Sequence, residues 1–291
     1  MYRERIQKAK VLLEALPYIK EFFGQTIVIK YGGSLMVNEE MKTLFAEDIV
    51  LLKYVGMNPI IVHGGGNEIS KWMTKVGKET VFIDGLRFTD DETMEITEMV
   101  LSGKINSEVV SLINQYGGRA VGLSGKDAKL FTAKKIKSKD DKDLGLVGEI
   151  ESIDVDILDT LCSRGYIPVI SSVGLSKKGE SLNLNADHVA SGVAQAMKAL
   201  KLIFLTDVQG IMKKGKLINH LDLKEAKKLL EHPDIKGGML PKLECSIEAI
   251  KGNVGNVHII NGNIEHAVLL EVFTDVGIGT MLSKKPLDED I

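Results

Sequence analysis

The sequence predicts an α/β fold, a three-layer αβα sandwich around a mostly parallel central sheet, because apolar runs that end in glycine alternate with helical patterns. Uninterrupted apolar runs are typical of strands that are buried on both faces. Strands that alternate with helices need crossover connections, and such connections make neighbouring strands parallel. The runs, with the glycines that end some of them, occupy residues 27–33, 59–66, 120–122, 167–170, 202–206 and 257–262.

Helical patterns fill the spaces between these predicted strands. Two helix starts combine a capping residue with a glutamate three positions later: Thr89 with Glu92, and Asp222 with Glu225. In such a capping box, the two side chains satisfy backbone amides that the first helical turn leaves without partners. Helices are predicted over residues 39–55, 67–76, 90–102, 104–116, 154–164, 187–199, 222–231, 239–250 and 263–273, and hairpins over residues 78–89, 129–152 and 172–183.

The first 24 residues differ in character from the rest of the chain. Their apolar side chains recur at helical spacing, and Pro17 then removes an amide donor and bends the helix at that point. We predict an added, kinked helix whose apolar stripe needs a partner, either the domain that carries it or another chain. The stripe consists of Ile6, Ala9, Leu13 and Leu16.

Composition excludes several classes of protein. The 291 residues include 37 basic and 40 acidic side chains, a net charge of −3, which argues against a nucleic-acid partner. No apolar run approaches the roughly 18 residues of a membrane-spanning helix, so no membrane is expected. Cys162 and Cys245 lack metal-ligand spacing, and no targeting segment precedes the fold, so we predict a cytoplasmic protein. Without a linker of low complexity, two lobes must abut, with residues 175–183 as the seam.

Two glycine-rich loops are candidates for a phosphate site. Residues 32–33 and 64–66 are glycines that follow predicted strands and precede helical patterns. Helix N-termini offer unpaired amides and partial positive charge, and glycine lets those amides approach a phosphate. Tight turns are the alternative interpretation of either loop alone. The P-loop, dinucleotide-binding and protein-kinase motifs do not occur in the sequence.

Two lysines stand close to these features. Lys30 ends the first predicted strand, and Lys242 follows the glycines at 237–238. An ammonium group at a buried strand end must face an anion or water, because burial without a partner is costly. Phosphoryl transfer asks a protein chiefly for positioning and for cationic donors. The two lysines are therefore candidate ligands of a transferring phosphoryl group.

Five motifs together resemble the amino-acid kinase family. They read KYGGS, HGGGN, DGLRFT, NLNAD and GMLPK. The chain is most similar to the members that act on N-acetyl-L-glutamate, over about residues 7–282. The resemblance implies ATP-dependent phosphorylation of the γ-carboxylate of that acceptor, a step of arginine biosynthesis, with Mg²⁺ held mainly by the phosphates of ATP. The motifs begin at Lys30, His63, Asp84, Asn183 and Gly238.

The resemblance also implies roles for single residues. Residues 25–178 would bind the acceptor, and residues 179–291 would bind the nucleotide. Lys30 and Lys242 would contact the moving phosphoryl group, with Asp187 holding both ammonium groups. For Asp207, a turn-initiating role is an equal alternative. The other assigned residues are Gly32 and Gly33 for phosphoryl oxygens, Gly65, Gly66, Arg87 and Asn183 for the acceptor, and Thr206, Asp207 and Gly210 for the nucleotide.

Members with a kinked N-terminal helix resemble this chain further, and in them that helix joins dimers into a ring-shaped hexamer that arginine inhibits. The resemblance implies a homohexamer, a trimer of dimers, built through residues 1–24. A carboxylate at Glu271 suits a guanidinium, and the ammonium of Lys201 suits a carboxylate. Each of the two residues also has an ordinary interpretation: Glu271 as part of one face of a helix, and Lys201 as the solvated first residue of a strand. The assigned arginine site consists of Tyr18, Lys201, Glu271, Gly277 and Gly279.

A carboxylate acceptor needs no general base, because it is already ionised at neutral pH. His63 is accordingly interpreted as a structural residue whose ring fixes the glycine loop, and the other five histidines as surface or packing residues. Two alternatives stay open. One is a relative that phosphorylates glutamate, aspartate, carbamate or UMP. The other is a silent arginine sensor, like the kinase-like lobe of some N-acetylglutamate synthases, although such a sensor is expected to lack the lysines.

Overall fold

The computed structural model describes residues 2–36, 38–138, 140–274 and 277–286. Its strands are β1 (Thr26–Tyr31), β2 (Asn58–His63), β3 (Phe82–Ile83), β4 (Leu86–Arg87), β5 (Ala120–Leu123), β6 (Phe131–Lys137), β7 (Asp143–Ile153), β8 (Ile167–Ser171), β9 (Val173–Ser176), β10 (Ser181–Leu184), β11 (Lys201–Thr206), β12 (Met212–Lys213), β13 (Lys216–Leu217), β14 (His220–Asp222), β15 (Asn256–Asn261) and β16 (Thr280–Ser283).

The helices surround these strands, and a π-helical segment, Met99–Ile105, continues the fifth of them. The α-helices are α1 (Tyr2–Glu14), α2 (Leu16–Phe22), α3 (Glu39–Tyr54), α4 (Gly66–Lys75), α5 (Asp91–Glu98), α6 (Asn106–Gln115), α7 (Asp156–Ser163), α8 (Ala186–Ala196), α9 (Leu223–Leu229), α10 (Met239–Lys251) and α11 (Ala267–Val272). Short 3-10 turns cover Gly33–Met36 and Asp127–Lys129.

The central sheet has eight strands in the order β14-β16-β15-β11-β1-β2-β8-β5. Every pair in it is parallel except β15 with β16. The mostly parallel sheet predicted from the alternation of elements is therefore confirmed. Strand β1 lies at the centre, between β11 on one side and β2 on the other. The boundary between the two lobes, at residues 178 and 179, stays a prediction.

Side chains of the sheet alternate between two hydrophobic cores, one on each face. Val28, Ile60 and Phe204 belong to the first core, which α7, α8, α9 and α10 cover. Ile29 and Ile61 belong to the second, which α3, α4, α6 and α11 cover. Because successive residues of a strand point to opposite faces, apolar runs without polar interruption bury both. The three-layer αβα sandwich is thus confirmed.

Three hairpins decorate the sheet, as predicted. Strands β3 and β4 form one, β6 and β7 the second, and β9 and β10 the third. Strands β6, β7, β9 and β10 close into a small barrel. Residues 175–183, the predicted seam, therefore belong to the hairpin of β9 and β10 and take part in that barrel.

One of the two predicted capping boxes is correct. Asp222 caps α9, and its side chain exchanges hydrogen bonds with Glu225 as expected. The prediction for Thr89 is wrong, because the capping residue of α5 is Asp90, whose Oδ1 accepts from the amide of Thr93 at 2.8 Å. The Thr89 hydroxyl instead donates to the carbonyl of Arg87. The long helix predicted over residues 90–102 is split, since α5 gives way to the π-helical segment.

The N-terminal helix is bent, as predicted, and divides at Ala15 into α1 and α2, with Pro17 in the first turn of α2. Phe22 anchors α2 in the core at 5% exposure. The apolar side chains of α1 instead face outward, with Ile6 55% and Leu13 65% exposed. The stripe therefore does not pack on the domain that carries it. No helix in the described ranges is long and apolar enough to span a bilayer.

Candidate active site

A cavity of about 1120 Å³ opens at the carboxyl ends of β1 and β2. In parallel α/β sheets, this edge is where ligands bind, since helix N-termini converge there. The three residues assigned to the nucleotide lie outside its lining. Lys242 also lies outside the lining, but its ammonium contacts Asp187, which belongs to it. The cavity brings together most of the predicted catalytic and acceptor residues, namely Lys30, Gly32, Gly33, Gly65, Gly66, Arg87, Asn183 and Asp187.

Asp187 joins two ammonium groups. The Nζ atom of Lys30 lies 3.1 Å from Asp187 Oδ1, and Nζ of Lys242 lies 2.6 Å from Oδ2. Asn185 caps α8 and accepts from the amide of Asp187 at 2.8 Å, which fixes the carboxylate in the first turn. Lys30 comes from the end of β1 and Lys242 from α10, which packs against α8. Three elements that are distant in sequence thus converge on one carboxylate.

The charge of this trio favours an anion. Burial by itself would raise the pKa of Asp187, but the two ammonium groups hold that pKa below its ordinary value. The carboxylate therefore stays ionised, and two positive charges face one negative charge. An excess of positive charge in a partly buried site attracts an anion and stabilises negative charge that develops there.

The glycines of the two loops are needed for close approach. A Cβ at Gly32 would lie 2.8 Å from Nζ of Lys30, so glycine lets the lysine fold over the loop. A Cβ at Gly65 would lie 2.2 Å from Cδ1 of Ile105, in the π-helical segment, and 2.7 Å from Cδ2 of Leu101. Gly33 adopts the left-handed φ of 73°, which L side chains disfavour. The loops present backbone rather than side chain to the cavity.

His63 lies beneath the second loop and is fully buried. Its Nδ1 is 3.0 Å from the carbonyl of Gly64, and its Nε2 is 3.0 Å from Nδ2 of Asn106. Burial and the charge of Lys30 together lower the pKa of His63 to about 4, although the hydrogen bond to the Gly64 carbonyl acts in the opposite direction. The ring is therefore neutral, with Nδ1–H donating to Gly64 and Nε2 accepting from Asn106. This geometry agrees with a structural role in fixing the loop.

Arg87 is a buried cation in the lining of the same cavity. Its Nη2 donates to the carbonyl of Gly66 and to Oγ of Ser70, each at 2.8 Å, and its guanidinium lies over the ring of Phe82. Among the described residues, no carboxylate pairs with it. Burial lowers the pKa of Arg87, as expected for a cation without a counter-charge. A ligand carboxylate would supply the missing negative charge in bidentate geometry.

The three predicted nucleotide residues cluster at the end of β11. Oγ1 of Thr206 donates to Oδ1 of Asp207 at 3.2 Å, and Asp207 is exposed. Gly210 has a φ of 150° and packs so closely on Thr280 that a Cβ would lie 2.7 Å from its Oγ1. The three residues therefore lie together at the carboxyl end of β11.

A second polar cluster lies where α2 meets the sheet, at the predicted arginine site. The Lys201 ammonium is buried over the ring of Phe22, and Oε1 of Glu271 is 2.6 Å from Nδ1 of His258. Tyr18 packs edge-on against Phe273, Gly277 lies against the Glu271 carboxylate, and Gly279 lies against the carbonyl of Ile259. The five predicted residues thus surround one junction.

His258 belongs to this junction and was not predicted. It is completely buried between Lys201 and Glu271, with Nε2 3.5 Å from the Lys201 ammonium. Burial lowers its pKa, although the hydrogen bond to Glu271 acts in the opposite direction. The signal is the pairing of β11 with β15, which places Lys201 two residues before the partner of His258 and on the same face.

Comparison with known proteins identifies the family of the chain. The pattern of the amino acid kinase family matches residues 25–261. The chain belongs to the amino acid kinase family. It is 52% identical over 293 residues to the acetylglutamate kinase of Caldanaerobacter subterraneus subsp. tengcongensis, covering 99% of this chain and 97% of that one. The acetylglutamate kinase of Methanocaldococcus jannaschii is also 52% identical, with 97% and 98% covered.

Solved structures of the family share the fold. An N-acetylglutamate synthase from Neisseria gonorrhoeae, complexed with coenzyme A and N-acetyl-glutamate, matches with a TM-score of 0.85 at 28% identity. The match covers 95% of this chain, which spans 63% of that synthase. A carbamate kinase from Giardia matches with a TM-score of 0.66 at 16% identity, which shows the amino acid kinase fold alone.

Proposed function

We propose that this kinase transfers the γ-phosphoryl group of ATP to the γ-carboxylate of N-acetyl-L-glutamate, yielding an acyl phosphate and ADP in arginine biosynthesis. Relatives that are half identical over nearly the whole chain bear the name acetylglutamate kinase. The observation that carries the proposal is the pairing of Lys30 and Lys242 on Asp187, in a cavity whose lining also holds Arg87, a cation that no carboxylate of the described residues pairs with.

The chemistry uses charge rather than proton transfer. An oxygen of the ionised γ-carboxylate forms a bond to the γ-phosphorus, and the bond from that phosphorus to the β–γ bridging oxygen breaks with its electron pair leaving on ADP. Negative charge spreads over the transferring group in the transition state. Lys30 would stabilise that charge near the acceptor, and Lys242 would stabilise it near the nucleotide. Asp187 would orient both ammonium groups.

The acceptor would bind in the cavity between Arg87 and the lysines. Arg87 would bind the α-carboxylate, and Asn183 would contact the same end of the molecule. The amides of Gly32, Gly33 and the second glycine loop would offer hydrogen bonds to the phosphoryl oxygens. Binding at both ends holds the γ-carboxylate in line for attack, which is the main service a protein provides to phosphoryl transfer.

The nucleotide would reach the site from the end of β11, past Thr206, Asp207 and Gly210. Mg²⁺ would arrive with ATP and be held by its phosphates and by water, as is usual in kinases. Within the described ranges, no group of three or more His, Cys, Asp or Glu side chains could hold a metal ion. No step of the transfer is assigned to the ion. We also expect the protein to act in the cytoplasm.

A coupled ADP-release assay tests the proposal. The purified chain is supplied with ATP, Mg²⁺ and one acceptor at a time: N-acetyl-L-glutamate, glutamate, aspartate, carbamate or UMP. We expect turnover with N-acetyl-L-glutamate and at least hundredfold lower kcat/KM with free glutamate. A preference for another acceptor would replace the substrate, and no turnover with any would favour the silent arginine sensor.

We further propose that arginine inhibits the enzyme at the junction of Tyr18, Lys201, Glu271, Gly277 and Gly279. The support is chemical: a buried ammonium and a buried carboxylate lie on opposite sides of the His258 ring at the base of α2. The same assay with added arginine should show inhibition. Glu271→Gln should raise the half-inhibitory arginine concentration at least about tenfold, because it removes the charge for a guanidinium. Glu248→Gln, on an exposed site of α10, is the matched control.

A further inference from the structure

We infer that the buried hydroxyl of Thr89 orients the side-chain amide of Asn183, so that Asn183 Oδ1 faces the cavity and accepts a hydrogen bond from the acylated α-nitrogen of the acceptor. Thr89 lines no part of the cavity and is completely buried. It is therefore a positioning residue that acts through Asn183. The inference rests on the proposed function, and it concerns how the site recognises the N–H of the acceptor.

The backbone of Thr89 is fixed by contacts with strand β7. Its amide donates to the carbonyl of Leu144 at 3.0 Å, and its carbonyl accepts from the amide of Leu146 at 2.6 Å. Gly145, between those two residues, packs so closely that a Cβ there would lie 2.2 Å from the Thr89 carbonyl oxygen. Strand β7 thus fixes the backbone of Thr89, and its hydroxyl has a defined place.

The direction of each hydrogen bond follows from the number of protons. The Thr89 hydroxyl has one proton, and it lies 2.8 Å from the carbonyl oxygen of Arg87, which can only accept. The hydroxyl oxygen is then left as an acceptor towards Asn183, 3.1 Å away. Only the NH₂ group of Asn183 can donate to it, so the amide is oriented with Nδ2 towards Thr89. Its Oδ1 is turned away from Thr89.

This orientation gives Asn183 a defined preference. Asn183 lines the cavity together with Arg87, so its free oxygen is available to a donor on the ligand. N-acetyl-L-glutamate carries one such donor next to its α-carboxylate, the amide N–H. Because Thr89 also bonds to the carbonyl of Arg87, one hydroxyl links the residue that would bind the α-carboxylate to the residue that would bind the neighbouring N–H.

The test compares two acceptors that differ in a single group. The first is N-acetyl-L-glutamate, and the second is its ester analogue, (S)-2-acetoxyglutarate, in which oxygen replaces N–H. We expect the wild-type kinase to prefer the amide at least about tenfold in kcat/KM, since the ester would place an oxygen against Asn183 Oδ1 and leave a buried acceptor unpaired.

Variants at Thr89 then test its role. Thr89→Val keeps the shape of the side chain and removes the hydroxyl, so the side-chain amide of Asn183 can rotate by 180° and exchange its oxygen and nitrogen. We expect KM for N-acetyl-L-glutamate to rise about tenfold, with a smaller change in kcat. The amide-to-ester preference should fall to about threefold or less. Thr89→Ser keeps the hydroxyl and should keep the preference. Thr97→Val is the matched control, because its buried hydroxyl has no hydrogen-bond partner among the described residues.

The outcomes separate this inference from the proposed function. A folded Thr89→Val enzyme with the wild-type preference would overturn the role of Thr89. A wild-type enzyme that phosphorylates both acceptors equally would overturn the orientation of Asn183 while leaving the proposed function intact, and no turnover with N-acetyl-L-glutamate would overturn the proposed function itself. If Thr89→Val does not fold, Thr89→Cys carries the same test, since a thiol is a poor acceptor of similar size.

Discussion

Asp187 shows how a single residue can set the charge of a site. Its Oδ2 accepts a hydrogen bond from Lys242, its Oδ1 forms an ion pair with Lys30, and each lysine comes from a different element. Two ammonium groups without a counter-charge would repel each other. With the carboxylate between them, the two groups can lie close together. The ability of Lys30 and Lys242 to stabilise one anion together therefore depends on Asp187.

We expect Lys30→Ala and Lys242→Ala each to lower kcat at least about hundredfold, because each removes a preorganised cation from the transition state. Steady-state ADP release at saturating substrates measures the effect, and circular dichroism checks that the variants fold. Lys177→Ala, which removes an exposed ion pair with Glu151, is the control and should behave as wild type. Turnover near that of wild type in either active-site variant would contradict the catalytic roles.

Arg87→Ala is expected to act on binding rather than on turnover. The guanidinium lines the cavity without contacting the lysines or Asp187, so its loss should raise KM for N-acetyl-L-glutamate at least about tenfold and change kcat less. Arg119→Ala, which removes a cation stacked on Tyr166, is the control. An Arg87→Ala enzyme with the wild-type KM would remove this residue from the acceptor site.

His63 gives the fold a pH dependence with a defined sign. Its pKa is about 4 in the folded chain and about 6.5 when unfolded, so the unfolded state binds more protons between these values. Its stabilising effect is complete above about pH 6.5 and is lost as the pH falls towards 4, by about 3 kcal/mol at most. His63→Gln should flatten the dependence of the unfolding free energy in that window, measured by urea titration. Curves that stay parallel would contradict the buried, neutral ring.

At the scale of elements, packing between neighbours decides the details that local sequence leaves open. The strands were predictable because their apolar runs follow from burial on both faces, a property of each run by itself. The N-cap of α5 was not predictable, because Thr89 and Asp90 are both common capping residues. Only the hydrogen bonds of Thr89 to Arg87 and to β7 show that Asp90, and not Thr89, caps the helix. His258 was missed for the same reason, since its two partners, Lys201 and Glu271, come from two other segments, β11 and α11.

The contact between Gly145 and Thr89 makes a prediction for the hairpin of β6 and β7. Gly145→Ala combines a φ of 71° with a Cβ 2.2 Å from backbone, whereas Gly179→Ala has a φ of 87° with open space around it. Left-handed strain alone costs about 1 kcal/mol. We expect Gly179→Ala to lose about that much stability and Gly145→Ala at least about 3 kcal/mol, by chemical denaturation. Equal losses would show that the hairpin yields without cost.

At the scale of the whole molecule, the exposed stripe of α1 suggests assembly. Helix α2 is anchored by Phe22, but Ile6, Leu13 and Leu16 are at least 40% exposed. A helix with an uncovered apolar face seldom persists alone in water, so we expect a second copy to cover it. The sequence predicted the helix and its bend, whereas the identity of the partner depends on surfaces of two chains that one sequence does not relate.

Removal of residues 1–15 should separate assembly from catalysis. The truncation spares Phe22 and Tyr18, so we expect turnover within about threefold of wild type, dimers instead of hexamers in sedimentation, and loss of arginine inhibition. Substitution of Ile6 and Leu13 by glutamine in the full chain serves as the matched test of the stripe, because both side chains are more than half exposed. A truncated protein that remains hexameric would contradict the assembly proposed for residues 1–24.

The place of β1 in the middle of the sheet has a mechanical consequence. Four of its residues, Ile27 to Lys30, pair with β11, and six, Thr26 to Tyr31, pair with β2. The proposed lobes are therefore joined by main-chain hydrogen bonds of one continuous sheet rather than by a flexible linker. We expect any movement that brings nucleotide and acceptor together to twist this sheet, so that the stiffness of the sheet limits how far Lys242 moves relative to Lys30.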